Sequence, residues 1–188
     1  MKLKSFLIVP LIVLANKGLG QDFSSKISMS ATSSYAFLGD GDYGAFYYDN
    51  GVSFNIKPLL QISGELGFLI SSNDGEKSIH LSHNYSYILG DIIFKIIPIT
   101  TKHFYSSFGF GNSNRYSSEI RMQSLKTVND QTFVEYNNEV SFDFGYVCQL
   151  NIGFMISSKS TIFINSEFHG FNRGTSIASF GLGFNHIL

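Results

Sequence analysis

Near the C-terminus a carboxylate and an imidazole stand two residues apart, Glu167 and His169 in the run Ser166-Glu167-Phe168-His169-Gly170. In an extended chain, residues two apart share a face, so this acid and base can pair. An imidazole held by an acid is also the kind of base that activates a hydroxyl nucleophile. His80 and His83, close to Asp74 and Glu76, offer imidazole and carboxylate, which suit several divalent ions. A spacing of three within a polar stretch is only weakly specific, and the segment reads better as a solvated loop. Asp40 and Asp42 lie among glycines but lack the further ligands that a calcium loop requires. Cys148 is the single cysteine, so no intrachain disulfide can form, and its size suits an apolar filler on a strand face. On these grounds no catalytic, cofactor-binding or metal-binding residue is assigned.

The elements that carry these residues are strands. From Phe142 the even positions run Phe142, Phe144, Tyr146, Cys148, Leu150, Ile152, Phe154 and Ile156, against Asp143, Gly145, Val147, Gln149, Asn151, Gly153 and Met155 between them. That is period two. After Ser157 to Ser160 the alternation resumes with Ile162, Ile164 and Phe168 opposite Asn165, Glu167 and His169. It returns once more with Ala178, Phe180, Leu182 and Phe184. Earlier in the chain, strands are expected over Ile27 to Phe37, Gly51 to Lys57, Leu60 to Ile70, Tyr85 to Ile97 and His103 to Gly111. The fourth of these alternates imperfectly, because Tyr87, Leu89 and Ile93 fall on the same side as Asp91 and Lys95. Gly39 to Asn50, Ser71 to Asn84 and Asn112 to Glu139 read as loops, the last a long polar excursion. Eight strands and no amphipathic helix result.

Composition favours the same class. Charged residues are 14% of the 188, well under the roughly 25% of a typical soluble domain, while aromatics reach 15%, with 19 Phe and no Trp. Net charge is −1 and no basic patch invites nucleic acid. Residues 1–20 have the form of a secretory signal peptide: Lys2 and Lys4, an apolar run from Phe6 to Ala15, and Gly18-Leu19-Gly20 before a cut. The mature domain is then expected to be 21–188. No later apolar run is long enough for a spanning helix.

Two orientations of the greasy face are open, inward as in a soluble lipocalin-like barrel or outward into lipid. The alternate set is rich in Gly, Ser and Asn, with the few charges Glu65, Asp91, Lys95, Asp143 and Glu167. A solvated exterior would carry many more charges. Small residues with sparse, opposite charges are what the narrow interior of an eight-stranded barrel can hold, and bulky Phe, Ile and Leu would then face hydrocarbon. The interior charges read as a salt-bridged plug, with a gated polar path as the alternative. Connections after strands two, four and six are short, and those after one, three and five are long, the layout of an outer-membrane barrel with short periplasmic turns. The expected fold is therefore all-β, an eight-stranded antiparallel up-and-down transmembrane β-barrel.

Three runs also carry a family resemblance. YSYILGDIIFKIIPITTKHFYSSFGFG (Tyr85 to Gly111), FDFGYVCQLNIGF (Phe142 to Phe154) and FGLGF (Phe180 to Phe184) are similar to the small outer-membrane barrel domain of PorT-like and OmpA-like proteins. That resemblance implies a barrel in a Gram-negative outer membrane and no particular reaction. One departure is the end of the chain, Asn185-His186-Ile187-Leu188, where such barrels usually finish on an aromatic residue. The segment Glu167 to Phe184 also superficially resembles the end of lipid A deacylases, with a His-x-Ser-Asn pattern. His169 and Asn172 match it, but the nucleophile position holds Phe171, which has no oxygen.

The function expected is a non-enzymatic outer-membrane barrel, a structural anchor or a loop-mediated interaction or adhesion protein, conceivably accessory to secretion. Its partners would be outer-membrane lipid and a protein met through the loops, with the barrel itself a monomer and no cofactor. The alternatives are an exported soluble barrel binding an apolar ligand and a lipid A-modifying barrel enzyme.

Overall fold

A computed structural model describes residues 27–39, 43–57, 59–73, 83–128, 131–173 and 176–188. Within them the chain makes eight strands: β1 (Ile27–Leu38), β2 (Tyr43–Lys57), β3 (Leu60–Asn73), β4 (His83–Thr100), β5 (Phe104–Val128), β6 (Gln131–Met155), β7 (Ser160–Phe171) and β8 (Ile177–Ile187). Each pairs antiparallel with its neighbours in sequence, and β1 pairs with β8 to close the barrel, Ala31 opposite Phe184 and Tyr35 opposite Phe180. Closure leaves no sheet edge around the wall, so the backbone groups there are paired among themselves.

The alternation sorts as its polarity demands, with the apolar set outside. Phe94, Leu182, Phe142 and Ile70 are each more than half exposed on the outer wall. Ser63, Asp91, Ser113, Asn165, Glu167 and His169 are buried inside. The arrangement is the reverse of a soluble barrel, whose apolar residues would line the lumen.

Two of the expected loops are largely strand. Tyr43 to Asn50 belongs to β2, with Phe46 and Tyr48 outward and Ala45, Tyr47 and Asp49 inward. Apolar residues on both faces conceal the period there. Asn112 to Glu139 extends β5 and β6 into one continuous hairpin, paired from Phe104↔Phe154 to Val128↔Gln131. Its lower part is polar on both faces, with Asn112 and Asn114 outward and Ser113, Arg115 and Ser117 inward, so polarity does not alternate. Pairing of β4 to β5 ends at His83↔Arg121 and that of β6 to β7 at Gly145↔Phe171. Beyond those points the hairpin is a two-stranded ribbon standing clear of the wall.

Short connections join the strands at the end that holds Ile27 and Ile187. Ser157 Oγ accepts the amides of Lys159 and Ser160 at 3.3 and 3.0 Å, a side-chain turn lock. Pro98 lies within β4 rather than opening the turn, at a register shift between Ile96 and Ile99. A bulge tolerates the missing N–H. Residues 1–20, Asp40, Asp42, Asp74, Glu76 and His80 lie outside the described residues, and His83 is placed as the first residue of β4.

Candidate functional site: the filled lumen

Inward residues from all eight strands fill the barrel in layers. Nearest the turns is a small polar cavity of about 50 Å³, lined in part by Ser53, Asn55, Gln61, Lys95, Tyr105 and Asn151. Above it Lys95 Nζ donates to Glu65 Oε1 at 2.6 Å, an ion pair joining β4 to β3. Glu65 also accepts from Ser63 Oγ (3.1 Å) and, on its other oxygen, from Gln149 Nε2 (3.0 Å). Gln149 Nε2 reaches Glu167 Oε1 as well, and Asn165 Nδ2 donates to that oxygen at 2.9 Å. Three polar residues thus knit β3, β6 and β7 across the interior.

His169 sits at the centre of this layer, fully buried. Its Nε2 faces Glu167 Oε2 at 3.3 Å, while Nδ1 faces Ser113 Oγ at 3.2 Å and Asp91 Oδ2 at 3.8 Å. The Glu167–His169 pairing expected from their spacing is therefore formed. A hydroxyl, an imidazole and a carboxylate in this order are the ingredients of nucleophilic catalysis. Reactivity needs a carbonyl carbon within reach of the hydroxyl, however, and Ser113 is 0% exposed. Tyr47 packs edge-on against His169, with ring centroids 6.0 Å apart, and the Phe171 ring lies nearly parallel to the imidazole at 6.2 Å. The constellation is a packed junction with no room for an ester.

The next layer is built on Arg115. Its Nη2 donates to Asp143 Oδ2 at 2.9 Å and to the Arg173 carbonyl at 2.9 Å. The guanidinium lies 4.2 Å from the centroid of the Phe171 ring and 4.8 Å from that of Tyr87. Charge and aromatic face attract, and Arg suits such a stacked site better than Lys. Phe171, where an ester-cleaving pattern would need a serine, is thus one wall of a cation–π clamp. Tyr87 in turn donates its hydroxyl to Glu119 Oε1 at 3.0 Å. Toward the loops, Leu38, Ala45, Leu69, Tyr85 and Ile177 make an apolar cap. This explains the imperfect alternation of β4: Tyr87 and Leu89 belong to the cap and Ile93 is a fully buried filler, so all three point inward beside Asp91 and Lys95.

All five charges expected inside are buried there: Glu65, Asp91, Lys95, Asp143 and Glu167. Asp49, Arg115 and Ser113 join them from stretches read as loops, where the only available signal was the inward period carried on from the flanking strands. Among the described residues, no group of three or more His, Cys, Asp and Glu side chains could hold a metal ion. The interior does hold itself together: Glu65 to Lys95 and Asp143 to Arg115 are ion pairs with additional hydrogen bonds, the condition under which buried charges are tolerated.

No protein-family model matches the chain, and no curated protein does. Solved structures do. Ail, the attachment invasion locus protein of Yersinia pestis, is 10% identical, over 86% of this chain and 97% of that one, with a TM-score of 0.54. Neisserial surface protein A is 10% identical over 86% and 96% of the two chains, again with a TM-score of 0.54. The outer membrane protein OprG from Pseudomonas aeruginosa is 9% identical over 86% and 95%, with a TM-score of 0.53. The fold is that of small outer-membrane barrels. At such identities the likeness is one of architecture, and it covers nearly the whole of each of those chains.

Proposed function

We propose that this protein is an outer-membrane barrel with no reaction of its own, a rigid anchor that presents the β5–β6 ribbon to a protein partner. Residues 1–20 direct export, and 21–188 form the mature barrel. The observation that carries this reading is the continuous apolar wall. Leaving a single Phe or Ile side chain in water forgoes about 1.5–3 kcal/mol. A belt that includes Phe46, Phe68, Phe94, Phe110, Phe144 and Phe180 would not remain monomeric in water. In lipid the same belt is solvated, and the closed sheet satisfies the backbone. The interior favours an anchor over a pore, since side chains cross-link the lumen from wall to wall.

The ribbon is the part built for contact. Val134 and Tyr136 on it are exposed, and its position beyond the wall places it outside the belt. Ail is named for attachment and invasion, and an adhesive contact is one form this role takes. The resemblance to PorT-like proteins leaves an accessory part of a secretion system as another, although no loop sequence argues for it. Membrane fractionation followed by gel electrophoresis of boiled and unboiled samples tests the class. The protein should stay with the outer membrane and change mobility on heating. Recovery as a soluble monomer whose mobility is indifferent to boiling would end the proposal.

A further inference from the structure

The short-turn end of the barrel carries one sign of charge. Each of its three hairpin connections holds one lysine: Lys57 at the end of β2, Lys102 between β4 and β5, and Lys159 between β6 and β7. All three are exposed. Among the described residues no acidic side chain shares this end. Six of the described acids are buried in the lumen, and the other two, Glu135 and Glu139, stand at the opposite end on β6, beyond its pairing with β7. None of the three lysines makes an ion pair among the described residues. Over the whole sequence acids and bases are nearly equal, 14 against 13, so the charge is sorted by position rather than in surplus. A surface made for water intersperses both signs.

Local geometry sets these lysines at the margin of the apolar wall. β2 bulges between Asn55 and Lys57, which puts Lys57 opposite Leu60. Residues opposite each other in a ladder share a face, and Leu60 is outward. Without the extra residue Lys57 would follow Asn55 toward the lumen, so the bulge turns it to the lipid side. Lys159 follows the outward Ile156 within the turn that Ser157 closes. Lys102 lies in the turn where the Thr101 amide donates to the Phe104 carbonyl at 2.8 Å, and Phe104 packs edge-on against the outward Phe154, ring centroids 5.8 Å apart. A lysine at such a margin lays its methylenes on the apolar surface and carries its ammonium just past it. That is the depth at which the headgroups of a bilayer begin. The turns follow every second strand of the closed sheet, so the lysines are spread over three quarters of the circumference and the β8–β1 seam is the fourth. Spread in this way they meet lipids around the barrel, not one compact ligand.

We propose that this rim selects anionic phospholipid headgroups in the leaflet at the turn end. An ammonium offers three donors and no acceptor, and a phosphodiester offers acceptors only. A zwitterionic lipid brings its own cation beside the same phosphate, so the lysines favour a lipid of net negative charge, by about fivefold for each lysine close to it. The inference rests on the membrane orientation proposed above and deepens it.

Lipid-specific quenching tests it. With no native Trp, Phe154→Trp reports the lipid between the turns that bear Lys102 and Lys159, and Ile70→Trp reports the other end of the wall. Each variant is refolded in vesicles of phosphatidylcholine and phosphatidylglycerol in equal amounts, with bromine on the acyl chains of one lipid or the other. The exchange constant at Phe154→Trp should favour phosphatidylglycerol by about fivefold, and Ile70→Trp should show no preference. Adding Lys57→Gln, Lys102→Gln and Lys159→Gln should bring Phe154→Trp to parity, and about 1 M salt should do the same without any lysine variant. Parity in the presence of the lysines at low salt, a preference that survives the three substitutions or the salt, or an equal preference at Ile70→Trp overturns the inference and leaves the membrane barrel standing. Absence of quenching by either lipid at both positions removes the membrane orientation, and the selective rim with it.

Discussion

At the residue scale the buried pair of Lys95 and Glu65 shows how the interior is balanced. Glu65 accepts from Lys95, Ser63 and Gln149, and removing the ammonium alone would leave a carboxylate inside the wall with neutral donors only. Lys95→Met should therefore destabilise the barrel by about 3 kcal/mol. Combining it with Glu65→Gln, which removes the charge left behind, should restore most of that loss. Urea unfolding from lipid vesicles, followed by gel mobility, measures both. Equal losses for the single and double variants would show that Lys95 contributes by packing its stem rather than by its charge. Gly67 adds a steric limit nearby: a Cβ there would lie 2.5 Å from the Tyr47 ring, the same ring that packs against His169. The central layer is thus specified by volume as well as by charge.

At the scale of elements the β5–β6 hairpin has two roles, wall and ribbon, divided where β4 and β7 stop. Replacing Met122 to Tyr136 with Asn-Gly would join Arg121 to Asn137, which already face each other across the hairpin, by a two-residue turn of the favoured kind. The shortened protein should still fold and shift mobility on heating, since the wall-bound part of each strand keeps both neighbours. A protein that chemical cross-linking in native outer membranes joins to the full-length chain through the ribbon should no longer be captured. If the shortened chain no longer folds, the ribbon is needed for the barrel to form. The same hairpin marks the limit of what sequence reveals. Strands such as β6 from Phe142 onward and β8 were legible because lipid on one side and a polar lumen on the other impose period two. Through Asn112 to Ser118 both faces are polar except for the outward Tyr116, and at Ala45 to Tyr48 both are apolar, so the period was hidden. Within the lumen Glu65, Asp91, Asp143 and Glu167 were legible from their parity alone, but Asp49 and Glu119 were not, and the partnership of Arg115 with Phe171 and of Ser113 with His169 joins residues more than fifty apart. Only the closed sheet brings them together.

At the scale of the whole molecule one quantity decides the rest, the direction in which each face of the wall points. The chain has no Trp, so a single introduced indole reports one position without background. Phe94→Trp and Leu182→Trp place it on β4 and β8, four strands apart around the barrel, at side chains 61% and 63% exposed. In vesicles containing lipids brominated along the acyl chain, both should be strongly quenched, because hydrocarbon is their only neighbour outside the wall. A third variant, Tyr105→Trp, lies at the polar cavity near the turns and should respond weakly to brominated chains. If all three respond alike, the wall does not separate a lipid face from a lumen. If the order reverses, the apolar set faces inward, and the packed network of Glu65, Gln149, Glu167 and His169 could not form in the folded protein. A barrel in which Phe94 and Leu182 are quenched and Tyr105→Trp is not would have lipid on its whole circumference and a lumen closed to it. That arrangement leaves the β5–β6 ribbon, among the described residues, beyond the lipid belt, where the proposed protein partner would meet it.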